Sequence, residues 1–308
     1  MMMVDGVFSG GGIKGISLIG AIQAAEERGL QFKRVAGTSA GALVASLVAA
    51  GYTSAELKDL IHNVELKQFL DEKKSWLPVP FMNWLKVYWK LGLYKGEALE
   101  RWVKELLKAK GIETFADLPD DSLKIIASDI TRGRLVVLPD DLQEYGLLKE
   151  KFPVARAVRM SCSIPYFFYP ITLYNRLGQK SYIVDGGVLS NFPIWLFQRK
   201  DRTSERPVLG FQLSSSYGNI PAHKVNNAFN LFKALFQTMM EAHDNRHISK
   251  YDARDIIFIP VKEISVVDFE LPEETKNAMM DFGYLQGTEF LNRWAAGKKI
   301  WTPYKNRA

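Results

Sequence analysis

The sequence has 308 residues, of which 47% are hydrophobic and 24% are charged, and its formal net charge is +6. This composition excludes a disordered chain. The small excess of basic residues argues against a nucleic-acid binder, and we therefore predict no nucleic-acid partner. Cys162 is the only cysteine, which excludes an internal disulfide bond and a cysteine-based metal cluster.

The sequence shows neither an export signal nor a membrane span. The N-terminus lacks a basic region and reaches glycine before an apolar stretch of signal-peptide length. No run of about 18 apolar residues occurs in the chain. Because a single cysteine also fits a reducing compartment, we expect a cytoplasmic protein, with peripheral contact to an anionic membrane surface left open.

The first fifty residues predict two strand-turn-helix units in succession. Residues 4–9 form a short strand-like run that ends in the glycines 10–12, and an apolar helical face follows. A second short strand, 33–36, leads into residues 37–41 and then into a helix that is apolar on most sides. This order predicts two parallel strands joined by a crossover helix.

The next segment starts with a capped helix and then changes in character. Residues 53–56 read Thr-Ser-Ala-Glu, the pattern of a capping box, and a single apolar stripe follows. Residues 66–96 interleave tryptophans, tyrosines and prolines with lysines and match neither a sheet nor a core helix. We predict that they form a helical, aromatic-rich insertion or flap, before a further helix at 97–110.

The α/β pattern resumes after residue 120 and continues to the C-terminal part. The predicted elements are a hairpin over 123–138, a helix that ends near residue 160, strands at 182–184, 208–213 and 255–260, a long helix between the last two strands, and a final helix from residue 272. We expect one continuous domain, in which residues 4–200 carry the motifs described below and residues 201–308 continue the same fold.

The pentapeptide Gly37-Thr38-Ser39-Ala40-Gly41 fits the G-x-S-x-G nucleophile elbow. In this turn the serine lies between a strand and a helix and is pushed out at the edge of the sheet. Gly37 and Gly41 are required because side chains there would clash in so tight a turn. The apolar strand before it and the helix after it favour a catalytic serine over a structural glycine turn.

The glycine-rich loop Gly10-Gly11-Gly12-Ile13-Lys14-Gly15 matches a dinucleotide-binding fingerprint. Such a site needs an acidic residue about 20 positions later to hold the ribose, and here the second strand runs into the serine turn instead. Glycine amides at a helix N-terminus also stabilise the oxyanion of acyl transfer. We therefore favour an oxyanion loop and keep nucleotide binding as an alternative.

The base that activates the serine is sought first among the four histidines. None of them follows a strand end, and His243 and His247 have metal-ligand spacing but no evident third ligand, so we predict no metal site. Asp185 differs because Val184-Asp185-Gly186-Gly187 places a carboxylate at a strand end beside two glycines. Taken alone, this motif is more typical of a turn aspartate that bonds its own backbone, and it indicates the base only together with the serine turn and the glycine-rich loop.

Together these motifs resemble the patatin-like phospholipases, which carry a G-G-G-x-[RK]-G loop, a G-x-S-x-G elbow and a D-G-[GA] motif in that order. The matches are residues 10–15, 37–41 and 185–187, and the segments 161–165 and 191–193 also resemble the family. The resemblance implies a three-layer α/β/α fold of the patatin type with a largely parallel sheet. It also implies hydrolysis of fatty-acyl esters, often of phospholipids, with no metal and no cofactor.

The resemblance further implies roles for single residues. Ser39 is the nucleophile and Asp185 the base of a dyad, while the amides of Gly10, Gly11 and Gly12 form the oxyanion hole. Lys14 occupies the basic position of the loop, where it supports the loop or meets a lipid phosphate, or is an ordinary surface lysine. The alternatives are an α/β-hydrolase with a Ser-Asp-His triad, a nucleotide-binding protein and a non-enzymatic lipid-binding module.

Overall fold

The computed structural model describes residues 1–71, 87–197, 206–214, 225–226, 230–231, 234–240, 253–261 and 267–298. Within them the strands are β1 Met2–Phe8, β2 Leu30–Thr38, β3 Gly92–Tyr94, β4 Leu123–Asp129, β5 Arg134–Leu138, β6 Tyr166–Phe168, β7 Ile171–Tyr174, β8 Lys180–Asp185, β9 Val208–Ser214 and β10 Ile256–Pro260. The helices are α1 Ile16–Glu27, α2 Ala40–Ala49, α3 Ser54–Asn63, α4 Glu97–Ala109, α5 Val154–Ser161 and α6 Glu273–Lys298.

Eight strands of the described part form one mixed sheet in the order β10-β9-β1-β2-β4-β8-β7, with β5 on the other edge of β4. The pairs from β10 to β4 are parallel, whereas β4 with β5, β4 with β8, and β7 with β8 are antiparallel. Strands β3 and β6 form a separate parallel pair. The predicted α/β fold with a largely parallel sheet is confirmed.

The central strands are buried on both faces, as parallel strands covered by helices are. On one face, Phe8 and Val35 belong to a large core that α1, α2 and α6 cover. On the other face, Val7 and Ala36 pack against the segment 192–197. Successive residues of β1 and β2 therefore serve opposite cores, which explains why their sequences read as continuous apolar runs.

Local sequence signals set several element boundaries. Thr53 and Glu56 form the predicted capping box at the start of α3, with each side chain bonded to the other's backbone N–H. Strand β2 is longer than the predicted 33–36, since it pairs with β1 from Leu30 onwards. Its first half alternates between exposed and more buried residues and therefore does not form the continuous apolar run on which the prediction was based. The short strands β6 and β7 were not predicted, since each has only three or four residues.

The predicted flap at 66–96 is partly core. Leu66 and Phe69 are buried, and β3 pairs with β6, whereas Tyr88 and Trp89 are exposed. Residues 72–86, with the tryptophans at 76 and 84, lie outside the described residues. Between β9 and β10 the described residues 230–231 and 234–240 are helical. None of the helices described is both long enough and apolar enough to traverse a bilayer.

Candidate active site

Two strands end opposite each other on the same edge of β4. Strand β2 is parallel to β4 and reaches Thr38 beside Ile126, while β8 is antiparallel and ends at Asp185 beside Ala127. Because β5 occupies the other edge of β4, β2 and β8 share one edge and run towards each other. The residues at their carboxyl ends, Ser39 and Asp185, are therefore brought into contact.

The turn after β2 is tight and strained, as an elbow requires. Ser39 has φ 54° and ψ −124°, a conformation that residues other than glycine rarely adopt. A side chain at Gly37 would overlap the Gly41 carbonyl, and one at Gly41 would overlap the Phe8 carbonyl oxygen. This strained conformation thus projects the buried Ser39 hydroxyl beyond the end of β2, and both predicted glycines are sterically necessary.

Ser39 and Asp185 form a direct hydrogen bond. The Ser39 hydroxyl donates to Asp185 Oδ2 at 2.7 Å, and the Gly187 N–H donates to Asp185 Oδ1 at 2.8 Å. Asp185 is 1% exposed. Burial raises the pKa of Asp185 to about 7 because the charged carboxylate loses its hydration, an effect that the two hydrogen bonds only partly offset.

Ser161, the last residue of α5, and Ser163, just after it, hold this pair in place. Ser161 Oγ accepts the Ser39 N–H at 2.8 Å and donates to the Ile126 carbonyl at 2.5 Å. The Ser163 carbonyl accepts the Asp185 N–H at 2.9 Å. The sequence marked 161–165 only as a family-like segment, and a serine pattern at a helix end does not reveal which backbone groups it will contact.

The glycine-rich loop packs against the serine turn. A Cβ at Gly10 would lie 3.3 Å from Ser39 Cβ, and a Cβ at Gly15 would lie 2.7 Å from Ala40 Cβ. The Gly10 N–H already donates to the Asn191 carbonyl at 3.0 Å. Among the described residues, no acceptor is found for the N–H groups of Gly11 and Gly12, which begin a short 3-10 helix.

The other residues singled out by their motifs are accounted for as follows. Gly186 is sterically required, because a Cβ there would overlap the Ile126 carbonyl. Lys14 is only 9% exposed, which excludes an ordinary surface lysine. His62 contacts Glu273 on α6, and the other three histidines lie outside the described residues. The described part of the chain holds no group of three side chains suited to a metal ion.

An apolar cavity of about 110 Å³ opens beside Ser39. The loop residues Gly12 and Gly15 line it at the same end as Ser39. The remaining walls come from Ile13, from the helices α1 to α4, from the segment 66–70, and from residues 162–168 and Phe269. The side chains that line these walls are Ile13, Ile16, Ile19, Ala40, Leu43, Val44, Leu47, Leu57, Leu60, Ile61, Leu66, Phe69, Leu99, Trp102, Cys162, Ile164, Phe168 and Phe269. Ser39 thus borders a cavity lined almost entirely by hydrocarbon.

Comparison with known proteins places these features in a family. The chain is 52% identical over 293 residues to the uncharacterized protein YqhO of Bacillus subtilis, which covers 95% of this chain and 99% of YqhO. It is 30% identical over 195 residues to the triacylglycerol lipase ptl3 of Schizosaccharomyces pombe, covering 62% of this chain and 38% of the lipase.

The solved structure of VipD from Legionella pneumophila has the same fold. It superposes with a TM-score of 0.57 at 21% identity, over 94% of this chain and 67% of VipD. The family model for patatin-like phospholipases matches residues 6–197, more than half of the chain, and this range includes all three motifs. The chain therefore belongs to the patatin-like phospholipases.

Proposed function

We propose that this protein is a serine acyl hydrolase that cleaves fatty-acyl esters of lipids, phospholipids among them, with Ser39 as nucleophile and Asp185 as general base. The family and the lipid hydrolases among the relatives support hydrolysis of lipids in general. The observation that carries the proposed mechanism is the 2.7 Å hydrogen bond between Ser39 and Asp185 beside an apolar cavity.

In the first half of the reaction, Ser39 Oγ attacks the ester carbonyl carbon while its proton passes to Asp185 Oδ2. The carbonyl oxygen becomes an oxyanion, and the free N–H groups of Gly11 and Gly12 are the donors available to it. The proposed oxyanion hole therefore has two of the three predicted amide donors, because the Gly10 N–H already donates to the Asn191 carbonyl. The alcohol then leaves with the proton from Asp185, and the acyl group stays on Ser39.

In the second half, Asp185 takes a proton from a water molecule that attacks the acyl-enzyme. The same oxyanion site stabilises the second tetrahedral intermediate, and Ser39 leaves with the proton, which restores the enzyme. An ordinary carboxylate is a weak base for this task, but a pKa of about 7 is well matched to work near neutral pH.

The apolar cavity supports an acyl group as the part of the ester that is transferred. Its walls carry no charged side chain, so the acid part of the ester fits there and the polar alcohol part faces outward. Along α2 the lining runs from Ala40 to Leu47, about 10 Å at 1.5 Å per residue. A substrate with a hydrocarbon chain therefore gains contacts that a short ester lacks.

The alternatives fit the geometry less well. A Ser-Asp-His triad needs an imidazole ring between serine and aspartate, and the direct contact of Ser39 with Asp185 leaves no room for one. A nucleotide would need an open glycine loop, but Gly10 and Gly15 pack against Ser39 and Ala40. A lipid-binding module without catalysis would have no need of the strained Ser39 conformation.

A fluorophosphonate probe tests the proposal, because it labels activated serines. We expect labelling at Ser39, located by mass spectrometry, and hydrolysis of a nitrophenyl ester, both abolished in Ser39→Ala. Asp185→Asn should lower kcat by several orders of magnitude, since the amide keeps the shape and loses the proton acceptor. Alanine at each histidine serves as the control, and a histidine variant as inactive as Asp185→Asn would favour a triad.

A further inference from the structure

The helical residues 230–231 and 234–240 are apolar on two sides. On the inner side Phe236 is 6% exposed, and Met240 packs near the catalytic turn, where a Cβ at Gly187 would lie 3.4 Å from its Cγ. On the outer side Leu231, Leu235 and Met239 are 49%, 60% and 37% exposed. Leu235 and Met239, four residues apart, lie on one exposed stripe of the helical residues 234–240, and Leu231 is exposed as well.

A second exposed apolar segment precedes β3. Tyr88 and Trp89 are 66% and 72% exposed and contact each other at 5.2 Å between ring centroids. Lys90 beside them is exposed, and Leu91 is 37% exposed. Large aromatic rings next to a lysine, all open to solvent, are unusual on a soluble surface and typical of a membrane interface.

Both segments adjoin the same group of buried aromatic residues. Strand β3 pairs with β6, and Phe168 of β6 packs with Phe236 and Ile164. Ile164 and Phe168 also line the cavity beside Ser39. This group therefore borders the cavity beside Ser39 and also connects to both exposed apolar segments.

We propose that Leu231, Leu235 and Met239, together with Tyr88 and Trp89, form a surface that docks on a bilayer containing anionic phospholipid. The inference rests on the proposed function, since a docked enzyme would receive its substrate from that bilayer. Insertion of the stripe removes exposed apolar area from water, and the rings of Tyr88 and Trp89 settle at headgroup level.

The charge near this surface favours an anionic bilayer. Lys90 is exposed beside Trp89. In the sequence, the segment 67–110 to which both belong has ten basic and five acidic residues. Basic residues close to a membrane surface are attracted by anionic headgroups, and salt screens that attraction. Docking should therefore weaken as the salt concentration rises, while the apolar contribution persists.

The test measures binding and catalysis separately. Binding to phosphatidylglycerol/phosphatidylcholine vesicles is followed by cosedimentation in the Ser39→Ala background, so that no lipid is consumed. We expect Leu235→Gln with Met239→Gln, and separately Trp89→Gln, to weaken binding at least tenfold. In protein that retains the native Ser39, these substitutions should leave turnover of a soluble short-chain ester unchanged. They should reduce turnover of an ester embedded in vesicles.

Leu177→Gln is the matched control, because Leu177 is 82% exposed at the turn before β8, far from Asp185 at its other end. Equal vesicle binding by all variants, or an equal loss in Leu177→Gln, would overturn the docking surface. A dimer that Leu235→Gln with Met239→Gln dissociates would assign the stripe to a second copy instead. Retained ester hydrolysis by Ser39→Ala would overturn the proposed function, independently of vesicle binding.

Discussion

Asp185 lies in an environment that acts on its pKa in two directions. Removal of water from the carboxylate raises the pKa, while the hydrogen bonds from Ser39 and Gly187 lower it, and the first effect is larger. With a pKa of about 7, a rise in pH should increase turnover and decrease the contribution of Asp185 to stability. The two effects can be measured separately.

In the proposed mechanism the ionised form of Asp185 is the base, and this predicts how turnover depends on pH. Below pH 7 most Asp185 side chains are protonated and cannot accept the Ser39 proton. We expect kcat/KM for a soluble ester to rise with pH through an apparent pKa of about 7 and to level off above it. An inflection near pH 4, the ordinary value for an aspartate, would contradict this assignment.

The contribution of Asp185 to the stability of the folded protein should fall as pH rises from about 4 to 7. The pKa of Asp185 is raised above its unfolded value of 3.8, so in this window the folded state binds more protons than the unfolded state. At about 1.4 kcal/mol per pKa unit, the loss is at most about 4 kcal/mol. Asp185→Asn should therefore raise the unfolding free energy at pH 8 and leave it unchanged at pH 4.

Urea unfolding of both proteins at the two pH values measures this difference. The sign matters more than the size, because a deleted structural ion pair would lower stability at pH 8. If Asp185→Asn were less stable than the native protein at pH 8, the carboxylate would be stabilised by its surroundings and a raised pKa would be untenable.

At the scale of single residues, the sequence predicts the reacting groups and not their environment. Ser39 and Asp185 are identified because glycine turns at strand ends have a steric reason that is visible in the sequence. The pKa of Asp185, the bond from Gly10 to Asn191 and the burial of Lys14 depend on side chains that are distant in sequence. No local pattern carries that information.

At the scale of elements, the site depends on two strand ends meeting along β4. The parallel units around β1 and β2 were predictable, because apolar runs, glycine turns and helical stripes alternate there. The strand at 182–184, which lies within β8, was also predicted, but β7 and the antiparallel pairing of β8 were not, since a strand of four residues gives a weak periodic signal and no local pattern sets the direction of pairing. Yet it is β8 that brings Asp185 to Ser39.

Helix α5 contributes to this junction through its last residue. Ser161→Ala removes the acceptor for the Ser39 N–H and the donor to the Ile126 carbonyl, both of which are buried. A buried polar group left without a partner costs about 1–3 kcal/mol. We expect kcat to fall by tenfold to a hundredfold with little change in KM, because the nucleophile turn relaxes while the cavity is kept.

Ser181→Ala is the control for that measurement. Ser181 is buried in β8, and its hydroxyl has no hydrogen-bond partner among the described residues, so its removal should be neutral. Equal kcat values for Ser161→Ala and Ser181→Ala would show that Ser161 does not position the nucleophile.

At the scale of the whole molecule, the region after the family match completes the fold. Strands β9 and β10 extend the sheet beyond β1, and α6 packs along α1. Buried residues of α6, such as Met279, Met280 and Leu291, belong to the same core as Phe8 and Val35. We propose that residues 201–308 unfold together with the catalytic motifs, as parts of one domain.

Gly283 on α6 tests this unity. By helix propensity alone, Gly283→Ala would stabilise α6 by about 1 kcal/mol. The new Cβ would overlap the Ser17 carbonyl oxygen and lie 2.8 Å from its carbonyl carbon. Because these are backbone atoms of α1, they cannot move out of contact by a side-chain rotation. Overpacking of this kind costs about 1–3 kcal/mol or more. We expect a net destabilisation, seen as a lower Tm.

The decisive observation is whether destabilising α6 also lowers the temperature at which Ser39 loses its reactivity. In one domain, circular dichroism and fluorophosphonate labelling of Ser39 should be lost in a single transition, and Gly283→Ala should shift both to the same lower temperature. Leu285→Ala is the control, because Leu285 is 60% exposed on the same helix and its loss should change stability by less than about 0.5 kcal/mol. If Gly283→Ala melted the helix signal early while Ser39 stayed reactive at the native temperature, the C-terminal region would be a separate domain, and the continuous core of α1 and α6 would not be needed to hold the site.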